Sequence, residues 1–444
     1  MEKHLQNVGM VSLGCAKNQV AAEQMLFLLH EAGYTIVNDE TQADAIVVNT
    51  CGFIEDAKQE AINTILEMAQ LKETARLQKL IVTGCLAQLY KSQVAEELPE
   101  VDAVVGVGSY EEIVTILEQA EAGEHPCVIG DNCAAVCEAP RMVSTGNVWA
   151  YLLIAEGCDN CCSYCVIPRI RGRFRSRSME NILAEAKNLA SAGYKELILV
   201  AQDLTHYGTD LYGRPSLAAL LTELVKIEGI EWIRLHYLYP HELDDGLIDV
   251  IAAEPKIVKY LDIPIQHIDD DILKKMNRRD TGASIRALFE KLRARIPGLV
   301  LRTSLITGLP GEGEAEFEAL CSFLREAKIE RAGVFSFSPE EGTPAAAMPH
   351  VDEETARARA ELVREVQVEI MDAWEASLVG REIPVLCEAF DEGLNSWLGR
   401  GYFDSPGIDG HVIFRGSCKA GDVVTVRIDA AEDGELVGQI VEGD

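Results

Sequence analysis

The stretch Glu156-Gly157-Cys158-Asp159-Asn160-Cys161-Cys162-Ser163-Tyr164-Cys165 constrains this chain more than any other. Cys158, Cys162 and Cys165 stand in a C-x3-C-x2-C spacing. Three thiolates so close in sequence can wrap one side of a cubane iron–sulfur cluster, where cysteine is the usual ligand of each iron. Three ligands for four irons leave one iron open. An open coordination position is a site for chemistry, as at a catalytic zinc. Two other readings stay open at this point. The residues also suit a zinc knuckle, or a structural pair plus strays. Cys158, Cys161 and Cys165 give the alternative spacing C-x2-C-x3-C. An apolar run, Trp149–Ala155, precedes the motif as a strand would.

With these flanks the motif resembles that of the radical S-adenosylmethionine (radical SAM) enzymes. The resemblance implies that the open iron chelates SAM. An electron from the cluster then splits SAM into methionine and a 5′-deoxyadenosyl radical. It also implies that Tyr164 lies near the adenine and that Cys161 is not a ligand.

Composition sets the outer bounds. The 444 residues suit two or three domains, and 48% hydrophobic content is ample for buried cores. No apolar stretch is long enough to span a bilayer, and Met1-Glu2-Lys3-His4 carries no signal-peptide pattern. A cytoplasmic protein without membrane contact is expected. Its thirteen cysteines then read as metal ligands or buried thiols. The net charge of −32 disfavours a sequence-independent grip on nucleic acid. It favours attraction to basic partners, although salt-adapted proteins share such surfaces.

Residues 1–128 read as an α/β domain with a parallel sheet. Its strands are expected at Val8–Leu13, Ala45–Val48, Leu80–Val82 and Ala103–Val107. Cys15, Cys51 and Cys85 each sit just past one of the first three. In an open parallel sheet the C-terminal strand ends share one edge, where ligands bind. Any one of these cysteines alone reads as a small buried hydrophobe. The same placement three times reads as a second three-cysteine cluster site. Residues 129–147 read as a linker, and Cys127, Cys133 and Cys137 as incidental thiols.

Residues 148–378 resume the alternation. Strands are expected at Trp149–Ala155, Leu197–Val200, Trp232–His236, Tyr260–Ile263, Leu299–Ile306 and Gly333–Ser338, before a long helix near 352–377. Six β/α units suggest a partial (β/α)6 barrel, whose sites lie at the C-terminal strand ends. Gln202, Gln266, His267, Gly308 and Pro339 follow such ends. Gly308 and Gly311 would let backbone approach a ligand. In radical SAM barrels the corresponding region contacts SAM, so Tyr164, Gln202, Gln266, Gly308 and Gly311 are the SAM candidates. His206 and His267 read as pocket-lining or supporting groups, and no catalytic side chain is assigned.

Residues 379–444 carry short runs: Ile383–Glu388, Ser396–Gly399, His411–Phe414, Asp422–Ile428 and Leu436–Val441. Turn residues separate them, which suggests a small antiparallel β-barrel. This region has 13 acidic and 5 basic residues. An acidic face, sampled by Asp404 and Asp409, and an aromatic patch of Trp397, Tyr402, Phe403 and Phe414 are the expected contact surfaces. A run of alternating arginines, Arg169 to Arg177, is readable as one basic face of an extended segment.

This three-part order resembles the methylthiotransferases across the whole chain, with a C-terminal TRAM-like barrel. The RimO type is the nearest in local sequence. The stretches that carry the resemblance are Ser12-Leu13-Gly14-Cys15-Ala16-Lys17-Asn18, Ala201 to Gly208, Tyr260 to His267 and Phe337 to Pro344. Ala16 stands where proline is commoner, and Cys161 where a basic residue is usual. The resemblance implies two [4Fe-4S] clusters and SAM. Cys158, Cys162 and Cys165 would hold the radical cluster. Cys15, Cys51 and Cys85 would hold an auxiliary cluster that carries sulfur. The implied substrate is the β-carbon of an aspartate in ribosomal protein S12, free or in the small ribosomal subunit. An unidentified electron donor is implied too, and tRNA is disfavoured as a partner. Three rivals are methylthiolation of a tRNA adenosine, a cobalamin-dependent radical SAM methylase, and an iron–sulfur carrier. The D-x-H-x-x-G pattern of many cobalamin domains is absent.

Overall fold

The computed structural model describes residues 5–432 and 434–441, so the Met1–His4 start lies outside the described residues. The chain divides into two compact units. One takes in the chain up to Ser144, with Leu153–Arg177 and Ser338–Ala346. The other holds Thr145–Leu152, Ser178–Phe337 and the chain from Ala347 onward.

The first unit is built on β1 (Asn7–Ser12), β2 (Thr35–Ile36), β3 (Ala45–Thr50), β4 (Lys79–Gly84), β5 (Ala103–Val105) and β6 (Cys127–Val128). They form one sheet in the order β2-β1-β3-β4-β5-β6, with every pair parallel. Side chains alternate between the two faces of a strand. In β3, Ala45 and Val47 enter one core, and Ile46 and Val48 enter the other. That double burial is why the run is apolar without a break. The connecting stretch after residue 126 opens with β6, which pairs with β5.

The expected strand Trp149–Ala155 is split. β7 (Trp149–Leu153) ends before Ile154, and β8 (Ala155–Glu156) pairs antiparallel with β9 (Arg175–Ser176). The Ile154 carbonyl accepts from the Arg177 N–H at 2.9 Å, where the pairing partner changes.

The second unit holds β7 with β10 (Glu196–Val200), β11 (Trp232–Leu235), β12 (Ile257–Asp262), β13 (Val300–Thr307) and β14 (Arg331–Ser336). Their sheet order is β14-β13-β12-β11-β10-β7, and β10 to β14 are parallel. The long helix runs over Glu353–Ala376. The remaining strands are β15 (Glu382–Asp391), β16 (Ser396–Gly401), β17 (Val412–Arg415), β18 (Val423–Glu432) and β19 (Glu435–Ile440). They close a barrel in the order β15-β16-β17-β19-β18. One pair departs from the antiparallel expectation. β18 and β19 form a hairpin, so β19 returns beside β17 in the same direction and pairs with it in parallel.

This barrel sits on the N-terminal ends of the sheet strands. Trp232, Val258 and Val300 share a core with Phe403, Phe414 and Val426. Buried polar bonds cross the same seam: Arg234 donates to the Tyr402 carbonyl at 2.8 Å while pairing with Glu196 inside the sheet, Arg400 reaches Glu196 at 2.5 Å and Arg331 reaches Asp404 at 2.8 Å. Two surface expectations therefore need correction. Asp404 is buried, and Asp409 accepts from the Tyr260 hydroxyl at 2.7 Å. Neither samples an open acidic face. Phe403 and Phe414 are core residues, while exposed Phe390 packs edge-on to the half-buried Trp397. Among the described residues no helix is long and apolar enough to cross a membrane.

Candidate active site

The adjacent strands β1, β3 and β4 deliver three cysteines to one sheet edge. Cys51 follows β3 directly, Cys85 follows β4 directly, and Cys15 caps the helix Ala16–Glu31. Their sulfurs are near enough for charge on one to disfavour charge on another. Burial raises the Cys51 thiol to about 11, with Cys85 and Cys15 adding to the rise. Burial also raises Cys85, against the opposing pull of Arg171. Cys15 behaves differently. Burial pushes it up, but Lys17, Arg171 and the backbone N–H groups of Asn18 and Lys17 bring it below the ordinary thiol range. A helix N-terminus with nearby cations is a thiolate-stabilising environment. Of the three, Cys15 alone is favoured as a thiolate by its protein surroundings, and metal binding would have to displace the protons of Cys51 and Cys85. Among the described residues no group of His, Cys, Asp or Glu is placed to hold a metal ion. A cubane spreads its thiolates over separate irons, so three cysteines need not converge on one ion to hold it.

Cys158 to Cys165 form the loop between β8 and the helix Ile167–Arg171. Cys158, Cys162 and Cys165 are half-buried, whereas Cys161 is exposed at a φ of 51°. The Cys165 N–H donates to the Cys162 carbonyl at 3.0 Å, and the Cys158 N–H to Gly172 at 3.2 Å. Ser163 accepts from the Ala345 N–H at 2.9 Å. Tyr164 is half-buried in the same loop.

The arginine run does not form one face, because the helix Ile167–Arg171 breaks its alternation. Arg169 reaches the Glu341 carbonyl, exposed Arg173 reaches Asp159, and Arg177 reaches Leu153 and Glu138. Arg171 is buried. It donates to Glu156 at 2.7 Å, to Cys85 Sγ at 3.6 Å and to the Asn18 side-chain oxygen. Asn18 is itself fixed by donating to Leu13 and Thr50 carbonyls at 2.9 and 3.0 Å. Both cysteine sets thus lie in the first unit, with Arg171 tying the motif segment to Cys85. A cavity of about 100 Å³ borders Arg171, Glu156 and Lys17.

In the second unit, Gln202, Gln266, Gly308 and Gly311 follow β10, β12 and β13 at the strands' C-terminal side. The side-chain amide of Gln202 is buried, and neither its nitrogen nor its oxygen has a partner in the protein. Gln266 holds a φ of 70° while bonding Ser304 and Ile306 of β13 through its backbone. Positive φ in a non-glycine residue is costly and clusters at ligand sites. Both glycines sit at positive φ, 77° and 87°. A Cβ on Gly308 would lie 2.4 Å from Ala356 Cβ, and one on Gly311 would lie 2.0 Å from Lys275 Nζ. Glu312 accepts from the Gly308 N–H and from Arg359, both at 2.9 Å. His267 Nδ1 accepts from the Asp269 N–H at 3.1 Å, so Nε2 carries the proton and faces Glu312 at 3.4 Å. That makes His267 a supporting group. His206 pairs with Glu242 at 3.1 Å, and this bond lowers the Glu242 carboxyl.

Residues 152–324 match the Radical SAM superfamily and residues 379–441 the TRAM domain. Residues 7–106 match the Uncharacterized protein family UPF0004. Among curated relatives, a Ribosomal protein uS12 methylthiotransferase RimO from Geobacter sulfurreducens is 49% identical, over 99% of this chain and all of that protein. One of the same name from Thermoanaerobacter is 46% identical, over 98% of this chain and all of that protein. Solved structures share the fold at lower identity. The radical SAM methyltransferase TsrM from Kitasatospora setae, with cobalamin and a [4Fe-4S] cluster bound, is 14% identical with a TM-score of 0.57, over 77% of this chain and 74% of that one. The cobalamin-dependent radical SAM enzyme OxsB is 13% identical with a TM-score of 0.53, over 83% of this chain and 56% of that one. At such identities the likeness speaks for the fold alone. The full-length identity to the RimO proteins decides the family, and this chain belongs to the RimO radical SAM methylthiotransferases.

Proposed function

We propose that this protein places a methylthio group on the β-carbon of an aspartate in ribosomal protein uS12, with SAM and two [4Fe-4S] clusters. One observation carries the reading. A chain 49% identical to a uS12 methylthiotransferase holds two three-cysteine sets in one compact unit. When bound, the clusters and SAM supply the radical and sulfur chemistry that no side chain provides.

The chain's own residues do the holding and the orienting. Cys158, Cys162 and Cys165 are the ligands of the radical cluster, and exposed Cys161 stays free of it. Cys15, Cys51 and Cys85 are the ligands of the auxiliary cluster. Lys17 and the N-terminus of the helix Ala16–Glu31 offset negative charge there. In the second unit the unpartnered amide of Gln202 and the positive-φ Gln266 are the favoured SAM contacts, and Tyr164 is the candidate from the motif loop. Gly308 and Gly311, both at positive φ, are the glycines whose backbone would approach SAM.

The net charge of −32 suits a basic protein substrate and disfavours tRNA. The test offers the reconstituted enzyme uS12 and tRNA at one salt concentration and follows both by mass spectrometry. A methylthio mass shift on an aspartate of uS12 is expected. A shift on tRNA adenosine alone would overturn the substrate.

A further inference from the structure

We infer that Arg171 is a positioning residue for the auxiliary cluster, fixing Cys85 and setting that cluster's reduction potential. The inference rests on the two-cluster reading above and deepens it. Arg171 closes the helix Ile167–Arg171, just after the Cys158–Cys165 loop. Its guanidinium nevertheless leaves that segment. One nitrogen donates to Glu156 at 2.7 Å, and the other is shared between Asn18 Oδ1 and Cys85 Sγ. The side chain is 2% exposed.

A buried guanidinium needs a carboxylate, and Glu156 supplies it. Glu156 alone does not account for the second nitrogen. That nitrogen is held by Asn18, which is anchored in turn by the carbonyls of Leu13 and Thr50. In the thiol state the Cys85 sulfur also donates to Asn18 Oδ1 at 3.7 Å. A ligating thiolate has no proton to give. Asn18 then receives only from Arg171, and the sulfur becomes an acceptor for the same N–H group. The network is therefore satisfied with Cys85 as a ligand.

Hydrogen bonds to the sulfurs and nearby charge set the potential of an iron–sulfur cluster. A cationic donor on Cys85 favours the more negative, reduced state and raises the potential. Arg169 bonds the Glu341 carbonyl, and Arg175 bonds the carbonyls of Arg171 and Arg173. Arg173 is spent on Asp159 and Arg177 on Glu138.

The test uses full-length protein with Cys158, Cys162 and Cys165 changed to alanine, so that any remaining cluster is the auxiliary one. Iron is measured first. A folded parent without iron would reject the two-cluster reading and leave Arg171 without a role. In a loaded parent, Arg171→Met is combined with Glu156→Gln so that no lone carboxylate is buried. The auxiliary midpoint potential, followed by electron paramagnetic resonance in a redox titration, is expected to shift to more negative values. A folded variant that takes up no iron supports the role in its stronger form, since Cys85 then depends on Arg171. An unchanged potential overturns the inference. Should the double variant fail to fold, Arg171→Lys decides. It keeps the charge but cannot serve Glu156, Asn18 and Cys85 together, so a smaller negative shift is expected, and a potential equal to the parent's overturns the inference.

Discussion

Arg331, the first residue of β14, holds Asp404 of the terminal barrel at 2.8 Å and Glu375 at the same distance. One guanidinium thus serves two buried carboxylates. Arg234 and Arg400, the nearest other cations, already share Glu196. Asp409 adds a further negative charge nearby.

The first prediction follows from that imbalance. Burial, opposed by Arg331 and assisted by Asp409, raises the Asp404 carboxyl from its ordinary value of 3.8 to about 7. The folded state therefore keeps a proton that the unfolded chain releases. Stability from this group is complete below the unfolded value and falls as pH rises through about 7. Melting temperatures between pH 5 and pH 8 should fall with rising pH, and Asp404→Asn should flatten the slope. An identical slope in the variant would show that Asp404 is not the group responsible. Asp404→Lys would face Arg331 in a buried seam and should unfold the protein, so it is no test of substrate contact.

Iron content tests the two cysteine sets. The intact protein should bind about eight irons, four per cluster. Changing Cys158, Cys162 and Cys165 together should leave about half. Retention of the full content would refute the ligand assignment. Cys161→Ser should bind as much iron as the parent, because Cys161 is exposed where its three neighbours are half-buried.

Separate ligand sets also mean separable reactions. With Cys15, Cys51 and Cys85 changed to alanine, methylthio transfer should vanish while reductive cleavage of SAM persists. Chromatography of 5′-deoxyadenosine, alongside mass analysis of uS12, reads both. A folded variant that makes no deoxyadenosine would show that the two sets do not act independently.

The sequence made some of this legible because its signals were local. Apolar runs ending in Cys51 and Cys85 place both residues on a sheet edge once the strands are parallel. Arg171 was hidden for the opposite reason. Its partners Asn18 and Cys85 lie 153 and 86 residues away, and the alternating arginines suggested an extended face. Asp404 and Asp409 read as surface charges because carboxylates are rarely buried unpaired. Their partners, Arg331 and Tyr260, are 73 and 149 residues distant. The parallel pairing of β17 with β19 was equally invisible, since a period of two is the same for either direction.

The last prediction concerns Gln202. A buried amide without partners costs about 1–3 kcal/mol per unsatisfied group. Gln202 leaves both its nitrogen and its oxygen unmet by protein. If SAM supplies those partners, the cost is carried by the free protein and relieved on binding. Gln202→Leu removes the polar groups at similar volume, so it should act with opposite signs on two measurements. Without SAM, the melting temperature should rise, by an amount consistent with about 1 kcal/mol. SAM affinity, measured by calorimetry on the reconstituted enzyme, should fall about tenfold, the equivalent of about 1.4 kcal/mol. A variant of higher stability and unchanged affinity would mean that water, and not SAM, completes the Gln202 amide. A variant of lower stability would mean that the amide has protein partners after all.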